Sequence, residues 1–283
     1  MLSLHTNSPN LAANIAFEHA SRAQTVAATR LSTGFRINSA MDDAAGLQIA
    51  TRLASQMSGT QVAMRNTQNA ISLMQVTEGA LDGMSTLFSR MHDLAIQAAD
   101  ASSSHEDKLA LQTEFTEMYR QAWQVRDVRY NGEQLMVSHA YEPAKFRTAM
   151  SFQIGADKSN VLMTDFNEVL NLVAVGFKYS DPTDTSTILT DHASQAIQDT
   201  SAAIEALASA RSIVGAISNR FDAAYRSASN LLENTTVAHG RITDTDFATE
   251  SAQAVSSQML MQSGSTMLKQ TNSLKQMTLS LIQ

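Results

Sequence analysis

The chain has 283 residues, 43% of them apolar but only 6% aromatic, with a single Trp (Trp123) and a formal net charge of −7. That charge, and the lack of any Lys/Arg-rich face, argue against a nucleic-acid partner. With no cysteine, a disulfide framework, a thiolate metal site and a thiol nucleophile are all excluded.

The start, MLSLHTNSPNLAANIAF, lacks the basic n-region and unbroken apolar core of a secretory signal. No run approaches the ~18 apolar residues of a membrane span, so no membrane insertion is expected. The chain either stays in the cytoplasm or leaves by a route that reads something other than a cleaved signal. Ala, Ser, Thr, Gln and Met dominate the composition, which suits long helix–helix contacts better than a thick core. Pro9, Pro143 and Pro182 avoid the long helical tracts, and proline breaks helix interiors. The first helix is therefore expected to start at about Asn10, just past Pro9.

In "RLSTGFRINSAMDDAAGLQIATRL" (Arg30 to Leu53), the Ser39-Ala-Met-Asp42 segment reads as a capping box. Ser39 would be the N-cap, with Asp42 and Asp43 on the positive end of a restarting helix. From Leu73 the apolar positions run Val76, Ala80, Met84, Leu87, Met91, Leu94 and Ala98, alternating three and four as on one helical stripe. Asp100-Ala-Ser-Ser-Ser breaks the tract, and a second helix carries Leu111, Phe115, Met118, Ala122 and Val125. Asn131-Gly132 in "YNGEQL" is a tight-turn signal. "RTAMSFQIG" (147–155) and "SNVLMT" (159–164) read as short strands around a turn, and "YSDPTDTST" (179–187) as loop.

A third long helix keeps the three-four rhythm from Ile197 through Leu232, softened at its end by His239-Gly240. The last tract repeats it through Leu260, Gly264, Met267, Thr271, Leu274, Thr278 and Leu281. A helix from Met57 to Ala99 is about 60 Å long and one from Asp191 to Gly240 about 75 Å, so an elongated rod is expected. The ends are poor in charge: Glu18 and Arg22 alone before residue 30, Lys269 and Lys275 alone after Glu250. Such striped ends call for a partner.

The seven histidines show no paired metal-ligand spacing. No phosphate loop or nucleophile elbow occurs, so neither an enzyme nor a cofactor is expected.

The quoted segment 30–53 resembles the N-terminal signature of bacterial flagellin, the subunit of the flagellar filament. The resemblance continues through "RNTQNAISLMQVTEGAL", "DLAIQAAD" and "YNGEQL". It returns in "GRITDTDFATESA", "QMLMQSGSTMLKQTN" and "LSLIQ", so it covers roughly 1–135 and 195–283. The centre resembles the family weakly, through "FQIGA". The residues depart from the family pattern at Pro9, at Met41 before the Asp pair, at His239-Gly240, and in "TNSLKQMT", which lacks a proline often found there.

The resemblance implies a mostly α fold: a coiled-coil rod, a terminal helical hairpin, a small central β element and none of the large outer domains of longer flagellins. Residues 1–33 with 246–283 would be inner-tube helices, 34–46 a spoke, 47–130 with 190–245 the rod, and 131–189 its cap. Inner-tube self-assembly would use Leu11, Ile15, Leu31, Met259, Leu260, Met267, Leu268, Leu274 and Leu281. The spoke would use Gly34, Arg36, Asn38, Ser39, Asp42 and Asp43. Implied partners are further copies of the chain, the flagellar export apparatus, an export chaperone on the C-terminal tract, and the filament cap and hook-junction proteins. Secretion without a cleaved signal peptide into an extracellular filament follows, and the terminal tracts would be disordered until assembly. The alternative within this resemblance is a hook–filament junction protein, against which the retained "DDAAG" speaks. A coiled-coil binding module would leave the apolar ends unexplained.

The resemblance also implies recognition by host Toll-like receptor 5. The family's Arg, Leu four residues on and Glu on the next helix fall on Arg90, Leu94 and Glu114, while His92 and Asp93 replace the usual charged pair. The residues alone leave open that Leu94 is core, since it sits on the packing stripe, and that Arg90 is merely solvated.

Overall fold

The three-four rhythm yields helices of unusual length. The computed structural model describes residues 8–137, 144–178 and 187–280. Its elements in chain order are α1 (Ser8–Thr33), α2 (Ala44–Ala99), α3 (His105–Arg126), β1 (Arg129–Tyr130), β2 (Glu133–Gln134), a 3-10 turn (Lys145–Arg147), β3 (Met150–Gln153), β4 (Val161–Thr164), α4 (Asn167–Gly176), α5 (Ile188–Asp191), α6 (Ala193–Thr243) and α7 (Phe247–Ser280). The chain divides into two compact units, one of Met1–Gln56 with Asn234–Gln283 and one of Met57–Glu233. Leu281 and residues 179–186 of the expected loop lie outside the described residues.

Within Met57–Glu233, α2, α3 and α6 share one core. Leu73, Met84, Met91, Leu94 and Ala98 of the α2 stripe are buried, against Phe115, Tyr119 and Ala122 of α3 and Ala203, Leu207, Val214 and Phe221 of α6. Buried threonines on the same faces return their hydroxyls to the carbonyl one turn back: Thr67 to Ala63 at 2.8 Å, Thr77 to Leu73 at 2.9 Å, Thr200 to Ala196 at 2.7 Å. A polar group can thus enter the core without an unmet hydrogen bond. Arg211 joins α6 to α2 by donating to Glu78 Oε1 at 2.9 Å and pairing with Asp82 Oδ1 at 2.9 Å.

Ser104 and Asp107 form a full capping box at the start of α3. Asn131 and Gly132 both take positive φ, 55° and 86°, the type I′ geometry that closes the β1–β2 hairpin. β3 and β4 pair antiparallel, Met150 opposite Thr164 and Gln153 opposite Val161, inside the two stretches the sequence marks as strands.

Three expectations change. Helix α4 occupies "NEVLNLVAVG", inside the region read as β and loop. Its short apolar run does not by itself tell helix from strand; burial of Val169, Val173 and Gly176 on one face decides it. A Cβ on Gly176 would come within 2.9 Å of the Phe88 ring, so the glycine lets α4 settle on α2. Helix α1 already includes Ser8, the first described residue, and runs on through Pro9. Helix α6 runs unbroken over His239-Gly240 to Thr243. A Cβ on Gly240 would meet Asp244 Oδ2 at 2.8 Å, so Gly240 serves close approach and is no break.

Candidate assembly surface and its joint

Helices α1 and α7 lie antiparallel in the first unit. Asn10 Nδ2 donates to Asn272 Oδ1 at 2.9 Å, Phe17 packs over Gly264, and Arg30 faces Glu250 at 3.5 Å. The seam between them is built from small side chains: Ala20, Ala27 and Ser257 are buried, with Thr271. Small residues bring two helices close and leave the bulky ones outside. Leu11, Met259, Leu260 and Met267 remain 57–60% exposed, with Ile15 and Leu274 about half exposed and Leu31 and Leu268 partly covered. Leu260, Met267 and Leu274 recur every seven residues, one stripe on a helix. Ala12, Ala16 and Ala20 face Leu260, Gly264 and Met267 across an open groove of about 660 Å³. Lys269 and Lys275 are the sole formal charges after Glu250, so α7 offers exposed large apolar side chains among neutral polar ones, a candidate interaction face.

The turn after α1 is equally built. Gly34 has φ of 77° and its N–H returns to Arg30 O at 2.8 Å, a left-handed helix end that favours glycine. Arg36 N–H donates to Thr243 O at 2.6 Å, its Nη2 to Ile242 O at 2.8 Å, and Thr245 N–H to Gly34 O at 3.0 Å. A guanidinium thus sits at the negative C-terminal end of α6. Asn38 Nδ2 closes back on Phe35 O at 2.8 Å.

The capping expectation for Ser39 is corrected here. Helix α2 starts at Ala44, and its cap is Asp43, whose Oδ1 accepts from Gly46 N–H at 2.8 Å. Ser39 instead opens a tight turn closed by Asp42, whose Oδ2 accepts from Ser39 N–H at 2.8 Å and Asn38 N–H at 3.0 Å. Those donors, Ser39 foremost, hold the Asp42 carboxyl below its ordinary 3.8. The cap moved because the two adjacent acids divide the work, one closing the turn and the other the helix. A Cβ at Gly46 would strike Asp43 Oδ2 at 2.4 Å and Ile37 Cδ1 at 2.8 Å, so any larger residue would have to displace the cap and Ile37.

Asp246, which sequence reasoning did not single out, caps α7. It accepts from Ala248 N–H at 2.9 Å and Thr249 Oγ1 at 3.0 Å, and its carboxyl is held low mainly by the Thr249 side chain. The signal was present in "TDTDFATE": an Asp three residues ahead of a hydroxyl residue at a helix start.

The expected receptor residues lie in the second unit. Glu114 Oε1 accepts from Arg90 Nε at 2.9 Å and Nη2 at 2.7 Å, and both side chains are partly exposed. Leu94 is 0% exposed. It belongs to the core, as its place on the packing stripe demands, and presents no apolar anchor beside Arg90.

Among the described residues no group of His, Asp or Glu is placed to hold a metal ion, and no helix is long and apolar enough to cross a membrane.

The model of the bacterial flagellin N-terminal helical region matches residues 4–139, and that of the C-terminal helical region residues 197–282. A flagellin of Halalkalibacterium halodurans is 31% identical over 256 residues, covering 89% of each chain. The chain belongs to the bacterial flagellin family. Flagellin FlaB2 of Treponema pallidum agrees, at 32% identity over 89% of this chain and 90% of that one. Flagellin D of Vibrio anguillarum is 37% identical over 59% of this chain but only 43% of its own length. A solved structure from Vibrio parahaemolyticus, assigned as flagellar hook-associated, has a TM-score of 0.55 at 16% identity, covering 72% of this chain and all of that one; it shows the fold alone. Relatives matched over nine-tenths of their length bear the flagellin name, so the hook-junction alternative is not favoured. This flagellin-family chain takes its class from that membership: a structural protein of the flagellar filament, which lies outside the cell.

Proposed function

We propose that the chain self-assembles through α1 and α7 into a helical flagellar filament that drives swimming. The observation that carries the reading is the inverted burial of that pair, with alanines inside and leucines and methionines outside. Each large side chain covered by a neighbouring copy contributes ~1.5–3 kcal/mol. In this reading residues 1–33 with 246–283 line the inner tube, 34–46 form the spoke, 47–130 with 190–245 the rod, and 131–189 its cap. The paired terminal helices order fully on assembly, because a seam of Ala, Ser and Thr buries little by itself.

The same apolar α7 face suits an export chaperone that holds an amphipathic helix in a groove, and passage through the flagellar export apparatus without a cleaved signal completes the route. The filament cap and hook-junction proteins would contact the ends of the polymer. Toll-like receptor 5 would read Arg90 and Glu114 from the outside of the second unit, without Leu94.

Removing residues 250–283 tests the assembly reading. The truncated protein is expected to keep the Met57–Glu233 unit folded by circular dichroism and to form no filaments by electron microscopy. Filaments of normal length from it would overturn the proposal.

A further inference from the structure

The chain carries 15 methionines, and the fold sorts them by access. Met74, Met84 and Met91 are closed inside the second unit, none more than 1% exposed. Met41, Met163, Met259, Met267 and Met277 are open, Met41 at 95% and the others at 53–60%. Met41 lies in the turn before α2 and Met163 on β4, so neither belongs to α1 or α7. Met259 and Met267 stand on the apolar face of α7. Met267 shares a stripe with Leu260 and Leu274 and lines the groove opposite Ala12 and Ala16.

We propose that Met259 and Met267 are oxidative modification sites that control whether a free subunit can enter the polymer. The inference rests on the reading of α7 as the assembly face. The oxidant class is a peroxide. A sulfur lone pair attacks one peroxide oxygen and the O–O bond breaks. The thioether loses two electrons and becomes a sulfoxide, and the departing hydroxide takes up the remaining proton as water. The product is a polar, chiral group with a strong hydrogen-bond acceptor where a flexible apolar one stood. The groove beside Met267 does hold His19, Gln253 and Ser263, but an apolar surface of a neighbouring copy laid over the exposed sulfurs would bury the new oxygen without a donor. A neighbouring copy would shield the same sulfurs once assembled. Oxidised subunits are therefore rejected while polymerised ones are protected, and the lesion is repairable because methionine sulfoxide is reducible.

The test treats full-length monomer with hydrogen peroxide, locates added oxygen by peptide mass spectrometry, and measures polymer yield by sedimentation and electron microscopy. Met259 and Met267 should gain oxygen before Met74, Met84 and Met91, and yield should fall at least tenfold. A double variant, M259L with M267L, keeps volume and apolarity. Compared with its own untreated sample, whatever that yield is, the variant should lose little on identical treatment although Met41 and Met163 are oxidised. Methionine sulfoxide reductase should restore the treated parent, an arm that does not depend on how the variant folds. Equal loss of yield in parent and variant would overturn the inference, as would full polymerisation of parent oxidised at both positions. Untreated parent that forms no polymer would contradict the assembly reading and this inference with it; polymer indifferent to oxidation would contradict this inference alone.

Discussion

The paired terminal helices and the Met57–Glu233 unit draw on the same residue types and place them in opposite ways. In the second unit Phe88, Leu81, Met84 and Leu94 are inside, and Phe88 meets the Phe177 ring edge-on at 5.7 Å. Between α1 and α7 the buried positions go to Ala20, Ala27 and Ser257, while Leu11, Leu260 and Met267 face out. A chain that buries its large side chains gains stability by itself. One that exposes them holds that free energy for a partner. The sign of the apolar stripe, inward or outward, thus separates the region that packs its own core from the region proposed here to join other copies.

The largest expected effect follows from trading the same truncation between the two regions. Phe88→Ala should cost ~3–5 kcal/mol of stability and Leu94→Ala ~2–5 kcal/mol, read as lost denaturant resistance of the second unit. Leu260→Ala should leave that unit's denaturation unchanged. If both truncations shifted it alike, the comparison would fail. Leu94→Ala is for this reason a poor probe of receptor contact, since it damages the core.

A smaller effect is expected at the joint of the first unit. Gly46→Ala puts a Cβ 2.4 Å from Asp43 Oδ2 and 2.8 Å from Ile37 Cδ1, and should cost ~1–3 kcal/mol by overpacking. Thermal unfolding followed on a probe in residues 34–56 would check it; an unshifted midpoint would mean the cap and Ile37 yield freely.

The joint should also respond to acid. Asp42 and Asp246 have carboxyls held below their ordinary 3.8 in the folded state. Their contribution is present above that value and is lost as pH falls through the depressed folded value. Helix content of the first unit should therefore decline below about pH 4, and less steeply in a protein carrying both Asp42→Asn and Asp246→Asn. Identical acid profiles would remove these caps from the account.

The smallest effect belongs to Arg90. Its pair with Glu114 is partly exposed, so Arg90→Ala should cost ~0.2–1 kcal/mol and less at high salt. That mildness makes it the useful variant for a Toll-like receptor 5 reporter assay, because any lost signal would not come from unfolding.

Most of the long helices were legible in advance, because the three-four spacing from Leu73 to Ala98 and from Ile197 to Leu232 reports a helix face directly. Asn131-Gly132 was legible through its turn chemistry. Helix α4 was not, since Val169-Leu170 and the apolar residues 172–175, split by Asn171, are too short to decide between helix and strand; burial of Val169 and Val173 and the approach of Gly176 to Phe88 settle it. The Ser39 cap misled because two adjacent acids can each take a donor set, and only the backbone path shows that Asp43 stands at the helix start. The outward stripe was half legible: spacing marks Leu260, Met267 and Leu274 as one face, but only the small seam residues opposite them show that the face is not used up within the chain.

The central claim is that the exposed stripe drives assembly without supporting the fold. The most direct measurement is the critical concentration for polymerisation of the double variant L11S with L260S, with circular dichroism of the second unit recorded alongside. Losing two buried leucines at each subunit contact should raise the critical concentration about tenfold or more, with the second unit's unfolding unchanged. An unchanged critical concentration with the protein intact would contradict the account.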